Sequence, residues 1–273
     1  MPLKNKKDPR GYVLTDLQVL DPVSVADYVF NRVGVSIPDD QVRGYWRHYR
    51  SERVSAPWAC SNPAEETAIP IGLYGDACKI RPYEKMVGIY IYINFPLFRP
   101  RSVRCSRFLL VSIQEEDMYQ RKTLDSIFRY VVWRLNILMD GKWPAVDIQG
   151  GSLTGPGLAR AGQEIVPGKT FAVTELRGDW VWLKECLSFK SSWKGGSRYP
   201  VCFRCEARST GAELYYNVQK DSSVWQTEYS TLADFLVHQM PAQPSHLVQS
   251  YISSHDNYIY PAGYKYIICG CKS

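Results

Sequence analysis

The stretch Ile69-Pro70-Ile71-Gly72-Leu73-Tyr74-Gly75-Asp76 decides the fold class of this chain. Its short apolar run predicts a buried β-strand over residues 69–74, and the Gly-Asp that follows predicts a turn carrying an acid. A carboxylate held at the end of a central strand has little freedom to move, which suits an oxygen ligand of a hard cation such as Mg²⁺. We therefore expect Asp76 to end a core strand as a candidate metal ligand.

The residues after this stretch predict a regular alternation of strands and a helix. Residues 87–95 and 108–113 are rich in β-branched and aromatic residues, which favours two further strands. A helix is predicted next, with Thr123 as its N-cap and Gly141 as its stop. Its apolar face has helical spacing and comprises Leu124, Ile127, Phe128, Val131, Val132, Leu135 and Leu138.

A fourth strand is predicted over residues 170–176, followed by Arg177-Gly178-Asp179 and a second helical segment over 180–190. The order strand, strand, strand, helix, strand, helix predicts an α/β fold with a mixed sheet. Either Gly-Asp alone is typical of an ordinary turn after a strand. Because the same context occurs twice, we interpret Asp76 and Asp179 as a pair that shares metal ions for phosphoryl transfer.

Four arginines, Arg99, Arg101, Arg104 and Arg107, fall within a short connection between two predicted strands. Arginines that alternate along an extended segment project to one side and can neutralise several phosphates of a nucleic acid. A solvated loop is an equally good interpretation of the same pattern. These residues are therefore candidate nucleic-acid contacts.

The pair Cys202 and Cys205 is the closest pair of thiols that could chelate zinc. A structural zinc site needs four ligands, and no other cysteine or histidine follows at a recognised spacing. The alternatives are a zinc site completed from afar and two unliganded thiols. The other cysteines are mostly scattered singly, which favours a reduced, intracellular protein.

The composition of the chain is typical of globular proteins. It has 273 residues, 45% of them apolar and 22% charged, so it can bury a core and is not disordered. The net charge of +6 weakly favours a polyanionic partner, and no apolar run is long enough to span a membrane. We expect an irregular leader over 1–68, the α/β core over 69–197 and a cysteine-containing C-terminal appendage over 198–273.

The region from about residue 69 to 206 resembles the catalytic region of CACTA-type and Kyakuja/Dileera/Zisupton-type transposases. The resemblance rests on Gly75-Asp76, a second strand closing in Ile93-Asn94-Phe95-Pro96, the helix ending at Asp140-Gly141, Leu176-Arg177-Gly178-Asp179, and the CxxC at 202–205. It implies a ribonuclease-H-like core of the DDE type that acts on DNA with Mg²⁺ or Mn²⁺, and a nuclear location. Asp76 and Asp179 would be its first two acids.

Such enzymes need a third carboxylate, which is not identified in this sequence. The acids that follow Asp179 lie in no recognised motif; they include Glu206, Glu213, Asp221, Glu228 and Asp234. The sequence therefore leaves two functions open. One is metal-dependent cleavage or strand transfer, and the other is a truncated or degenerate copy that binds nucleic acid or serves a structural role without cutting. Homo-oligomer formation and the target DNA also stay open.

Overall fold

A computed structural model of the protein describes residues 1–51, 67–79, 87–98, 106–178 and 182. The strands in this part of the chain are β1 (Pro2–Lys4), β2 (Tyr12–Leu14), β3 (Ile69–Lys79), β4 (Val87–Asn94), β5 (Arg107–Gln114) and β6 (Phe171–Gly178). The α-helices are α1 (Pro22–Asp27), α2 (Asp39–Ser51), α3 (Gln120–Asp140) and α4 (Gly155–Arg160). A π-helical segment, Tyr28–Arg32, continues α1, and a 3-10 turn, Glu115–Asp117, follows β5.

The main sheet has the strand order β5-β4-β3-β6 within the described residues. Strand β4 pairs antiparallel with both β3 and β5, whereas β6 pairs parallel with β3. Because β5 and β6 run in the same direction at opposite edges, the chain between them must cross over the sheet, and it does so through α3. The predicted α/β class with a mixed sheet is therefore confirmed.

The four predicted strands and the first predicted helix all form, with changed bounds. The largest change is in β3, which continues through Asp76 to Lys79 instead of ending at Tyr74. The reason is long-range pairing: β4 forms a continuous antiparallel ladder from Gly72↔Asn94 to Lys79↔Val87. Pairing with β4 therefore keeps Gly75-Asp76, which locally favours a turn, in an extended strand.

Helix α3 buries the face that the sequence predicted. All seven predicted apolar residues of this face are at most 8% exposed: Leu124, Ile127, Phe128, Val131, Val132, Leu135 and Leu138. The predicted stop at Gly141 is confirmed, since this residue has the left-handed conformation (φ 70°) that glycine adopts without strain.

The predicted N-cap of α3 is wrong, because the helix begins three residues earlier, at Gln120. Thr123 lies inside the first turn, where its hydroxyl accepts a hydrogen bond from the Tyr119 backbone N–H (2.9 Å) and donates one to the Pro2 carbonyl (2.6 Å). This threonine therefore connects the first turn of α3 to the N-terminal strand β1.

Residues 1–51 differ from the irregular leader expected of them. They form an antiparallel hairpin and two helices, and they bury Val23, Val29 and Trp46 in the same apolar core as the main sheet. Pro22 occupies the first turn of α1, where a missing N–H costs nothing. Asp21 caps α1 by accepting bonds from the N–H groups of residues 23 and 24.

A largely buried ion pair connects the N-terminus of α1 to α3. Both Arg134 and Asp21 have side chains less than a fifth exposed, and the guanidinium binds both carboxylate oxygens. Burial acts to raise the pKa of Asp21, but the hydrogen bonds and charge of Arg134 outweigh it and hold the pKa below its ordinary value. Asp21 thus serves two elements at once, as helix cap and as ion-pair partner.

Candidate metal site on two neighbouring strands

Asp76 lies inside β3, half-buried, and opposite Tyr90 of β4. Tyr74, two residues earlier on the same strand, donates a hydrogen bond from its hydroxyl to Asp76 Oδ2 (3.2 Å). Residues two apart on a strand share a face of the sheet, so this contact places both side chains on one face. The expectation that Asp76 ends its strand is wrong, but the strand interior fixes its backbone even more firmly.

The two glycines that precede the candidate aspartates occupy matching positions of neighbouring parallel strands. Gly75 of β3 pairs in register with Gly178 of β6, and each of these glycines is bonded to an aspartate, Asp76 and Asp179. Asp179 itself lies outside the described residues.

Trp182 explains why both paired residues are glycine. A Cβ built on Gly75 would lie 1.8 Å from the indole of Trp182, and one built on Gly178 would lie 2.5 Å from it. The indole is 2% exposed and makes an edge contact with Phe128 of α3 (ring centroids 6.3 Å apart). The repeated glycines therefore accommodate a packed tryptophan, and only the aspartates carry the argument for a metal.

This packing also assigns the two faces of the sheet. The Cβ direction of Gly75 points toward Trp182 and α3, which defines the covered face, and alternation along β3 puts Tyr74 and Asp76 on the opposite face. We call that opposite side the tyrosine face; its residues are Tyr74, Tyr90, Tyr92, Asp76, Arg107, Leu109 and Arg177.

Three tyrosine rings lie together beside Asp76. The ring centroids of Tyr74 and Tyr92 are 6.0 Å apart, and those of Tyr90 and Tyr92 are 6.4 Å apart with the planes only 23° from parallel. These tyrosines are not among the site residues predicted from the sequence. Their signal was the strict alternation of Ile and Tyr from residue 89 to 93, which directs tyrosines to one face and isoleucines to the other.

Of the four candidate arginines, the structure describes only Arg107, and it places this residue differently from our expectation. Arg107 is the first residue of β5 rather than part of the preceding connection. Its side chain is exposed, and its guanidinium lies 5.0 Å from the centroid of the Tyr74 ring. Arg99, Arg101 and Arg104 lie outside the described residues.

The remaining candidate ligands also fall outside the described part of the chain. They are Cys202, Cys205 and all the acids considered as a third carboxylate. Within the described residues, no three His, Cys, Asp or Glu side chains are grouped so that they could hold a metal ion. A cation at Asp76 would therefore need further oxygen ligands from residues such as Asp179.

Comparisons with protein families, with curated proteins and with solved structures find no match for this chain. In the described residues, none of the helices combines the length and the apolar character that crossing a bilayer requires.

Proposed function

We propose that this chain is a ribonuclease-H-like domain that cleaves or joins DNA phosphodiesters with Mg²⁺ or Mn²⁺. The strand arrangement supports this. Three antiparallel strands occur in chain order, and a helical crossover then returns a fourth strand beside the first and parallel to it. This is the arrangement we expect of such a core, with the first and fourth strands as immediate neighbours.

The single observation that carries the proposal is the register of the two glycines that precede the aspartates. Gly75 and Gly178 are paired on adjacent parallel strands, and in the sequence an aspartate follows each of them. Two carboxylates that lie close together would provide the hard oxygen ligands that Mg²⁺ and Mn²⁺ prefer. Nothing about the packing of Trp182 on the glycines requires an acid at the next position.

In this proposal the residues have distinct roles. Asp76, Asp179 and a later acid hold the cations, while the hydroxyl of Tyr74 orients the Asp76 carboxylate through its hydrogen bond. A water or a DNA 3′-hydroxyl attacks the phosphorus in line: a new P–O bond forms, the bond to the leaving oxygen breaks, and the attacking group's proton passes to solvent. Bound cations supply the charge that stabilises both oxygens in such a displacement.

The test is a nicking assay on supercoiled plasmid with Mg²⁺ or Mn²⁺, and with EDTA as the metal-free reference. We expect Asp76→Asn and Asp179→Asn each to reduce nicking to the level seen in EDTA. Asp117→Asn is the matched control, because Asp117 is exposed in the turn after β5. Nicking that persists in EDTA, or that survives Asp76→Asn unchanged, would overturn the proposal.

A non-catalytic nucleic-acid-binding domain is the second candidate. The net charge of +6 and the exposed Arg107 beside the tyrosine rings favour it. This candidate predicts that Asp76→Asn leaves DNA binding unchanged. It also predicts that the parent chain shows no metal-dependent nicking. Zinc at Cys202 and Cys205, a nuclear location and homo-oligomer formation stay predictions from the sequence under either function.

A further inference from the structure

The tyrosine face has the composition of a surface for flat, charged ligands. Tyr74, Tyr90 and Tyr92 are half-buried, so each of these residues remains partly accessible. Each tyrosine contributes a planar ring with little conformational entropy to lose on binding. Arginine is supplied from both sides, by Arg107 of β5 and by Arg177 of β6, which pairs in register with Tyr74.

The outer strands show that this face meets solvent. On β5 the exposed residues are Arg107, Leu109 and Ser112; the last two are the register partners of Tyr92 and Tyr90. Leu109 is 40% exposed, although it is a large apolar residue in the middle of a strand. Arg177 on the other side of the sheet is exposed as well. The opposite face of β4, in contrast, buries Ile91 and Ile93 completely.

The charged residues of the tyrosine face indicate which class of ligand this surface binds. Arg107 and Arg177 offer two exposed guanidinium groups that can bind phosphate oxygens in a bidentate manner. A second apolar protein surface would cover these charges with groups that cannot pair with them, whereas a nucleic acid supplies both phosphates and rings. The overall net charge of +6 acts in the same direction.

We propose that the tyrosine face binds an unpaired nucleic-acid strand, with bases stacked on the rings of Tyr90 and Tyr92 and with phosphates bound by Arg107 and Arg177. Bases in a duplex are stacked on one another and cannot reach a flat sheet, whereas unpaired bases can lie on aromatic side chains. This inference rests on the proposed function and names its substrate class, which is a nucleic-acid strand that is unpaired where it reaches Asp76. Asp76 is hydrogen-bonded to Tyr74 of the same face.

The experiment measures fluorescence anisotropy of a labelled 12-nucleotide oligo-dT and of a labelled duplex, with the full chain in EDTA. We expect the single strand to bind more tightly than the duplex. Tyr92→Leu removes one stacking ring and should weaken single-strand binding roughly 5- to 150-fold, the range that corresponds to the loss of one stacked base. Tyr92→Phe keeps the ring and should retain the parent affinity. Tyr28→Leu, at a tyrosine 58% exposed on the N-terminal helical segment, is the matched control.

Three results would overturn the proposal: equal binding of duplex and single strand, unchanged binding by Tyr92→Leu, or an equal loss of binding in Tyr92→Phe. Circular dichroism of each variant distinguishes lost binding from lost folding. Because EDTA removes the metal, the assay measures binding without cleavage, and the variants assign that binding to the tyrosine face. Strand binding without metal-dependent nicking would contradict the catalytic proposal only, and nicking without a preference for single strands would contradict this inference only.

Discussion

The two faces of the central sheet are built for different purposes, although they share the same strands. The covered face of β4 presents Ile91 and Ile93, which are fully buried under the core, while its other face presents Tyr90 and Tyr92, which are half-buried. The covered face is closed by α3 and Trp182, with glycines where the indole needs space. The difference separates residues kept for stability from residues that are available for binding.

Substitutions on the covered face should therefore lower stability, whereas those on the tyrosine face should change binding with little effect on stability. Four predictions test this separation.

The largest loss of stability is expected for Phe128→Ala. Phe128 is 1% exposed and packs against Trp182, so its removal leaves a cavity between α3 and the sheet. We expect the free energy of unfolding to fall by about 3–5 kcal/mol. Urea denaturation checks this, with Arg129→Ala as the control because the adjacent arginine is exposed. A loss no larger than that of the control would show that α3 does not close this face.

Asp21→Asn should cost about 3 kcal/mol at neutral pH, because it leaves the largely buried guanidinium of Arg134 without its charged partner. The pKa of Asp21 is lowered in the folded state, so its stabilisation is present above its unfolded value of 3.8 and is lost as pH falls through the lower folded value. The difference between parent and variant should shrink over that interval. Chemical denaturation from pH 7 to pH 2 measures it; a difference independent of pH would contradict the ion-pair explanation.

Gly75→Ala should cost about 1–3 kcal/mol, since its new methyl group overlaps the indole of Trp182. The same change at Gly44, a helical glycine with open space around its Cβ, should instead stabilise by up to about 1 kcal/mol. Combining Gly75→Ala with Trp182→Leu should recover part of the loss in a double-mutant cycle. Strictly additive losses would show that the tryptophan is not what requires a glycine here.

The smallest effect on stability is expected on the tyrosine face. Tyr92→Leu removes a cross-strand ring contact with Tyr74 and should lower the free energy of unfolding by less than about 1 kcal/mol. The same variant is the one expected to lose single-strand binding. A loss of stability comparable to that of Phe128→Ala would mean that Tyr92 belongs to the core, and the two faces would no longer differ in role.

Much of the fold could be predicted from local sequence. The apolar face of α3 and the terminating glycine Gly141 followed from helical periodicity and glycine conformation, and the structure has both. The length of β3 could not be predicted, because pairing with β4 extends it through a Gly-Asp that locally favours a turn. The packing of residues 1–51 in the core was not predicted either, because it depends on long-range contacts, and Pro22 begins α1 although proline locally often indicates an interruption.

The candidate site was predictable only in part. Asp76 was selected from its place in an apolar run, but its interior position and its bond from Tyr74 depend on register. The matching positions of Gly75 and Gly178 are a long-range property that no local pattern contains. The alternation of Ile and Tyr over residues 89–93 contains the signal of the tyrosine face, but which face of the sheet is covered depends on the long-range packing of α3 and Trp182.

The central claim is that Asp76 and Asp179 bind the same cation, and Mn²⁺ titration followed by electron paramagnetic resonance tests it most directly. The parent chain, Asp76→Asn, Asp179→Asn, the double variant and the Asp117→Asn control are compared. We predict that each single variant at the site weakens Mn²⁺ binding, that the double variant adds little further loss, and that the control binds like the parent. Mn²⁺ binding at parent affinity by a correctly folded Asp76→Asn or Asp179→Asn variant would contradict the claim.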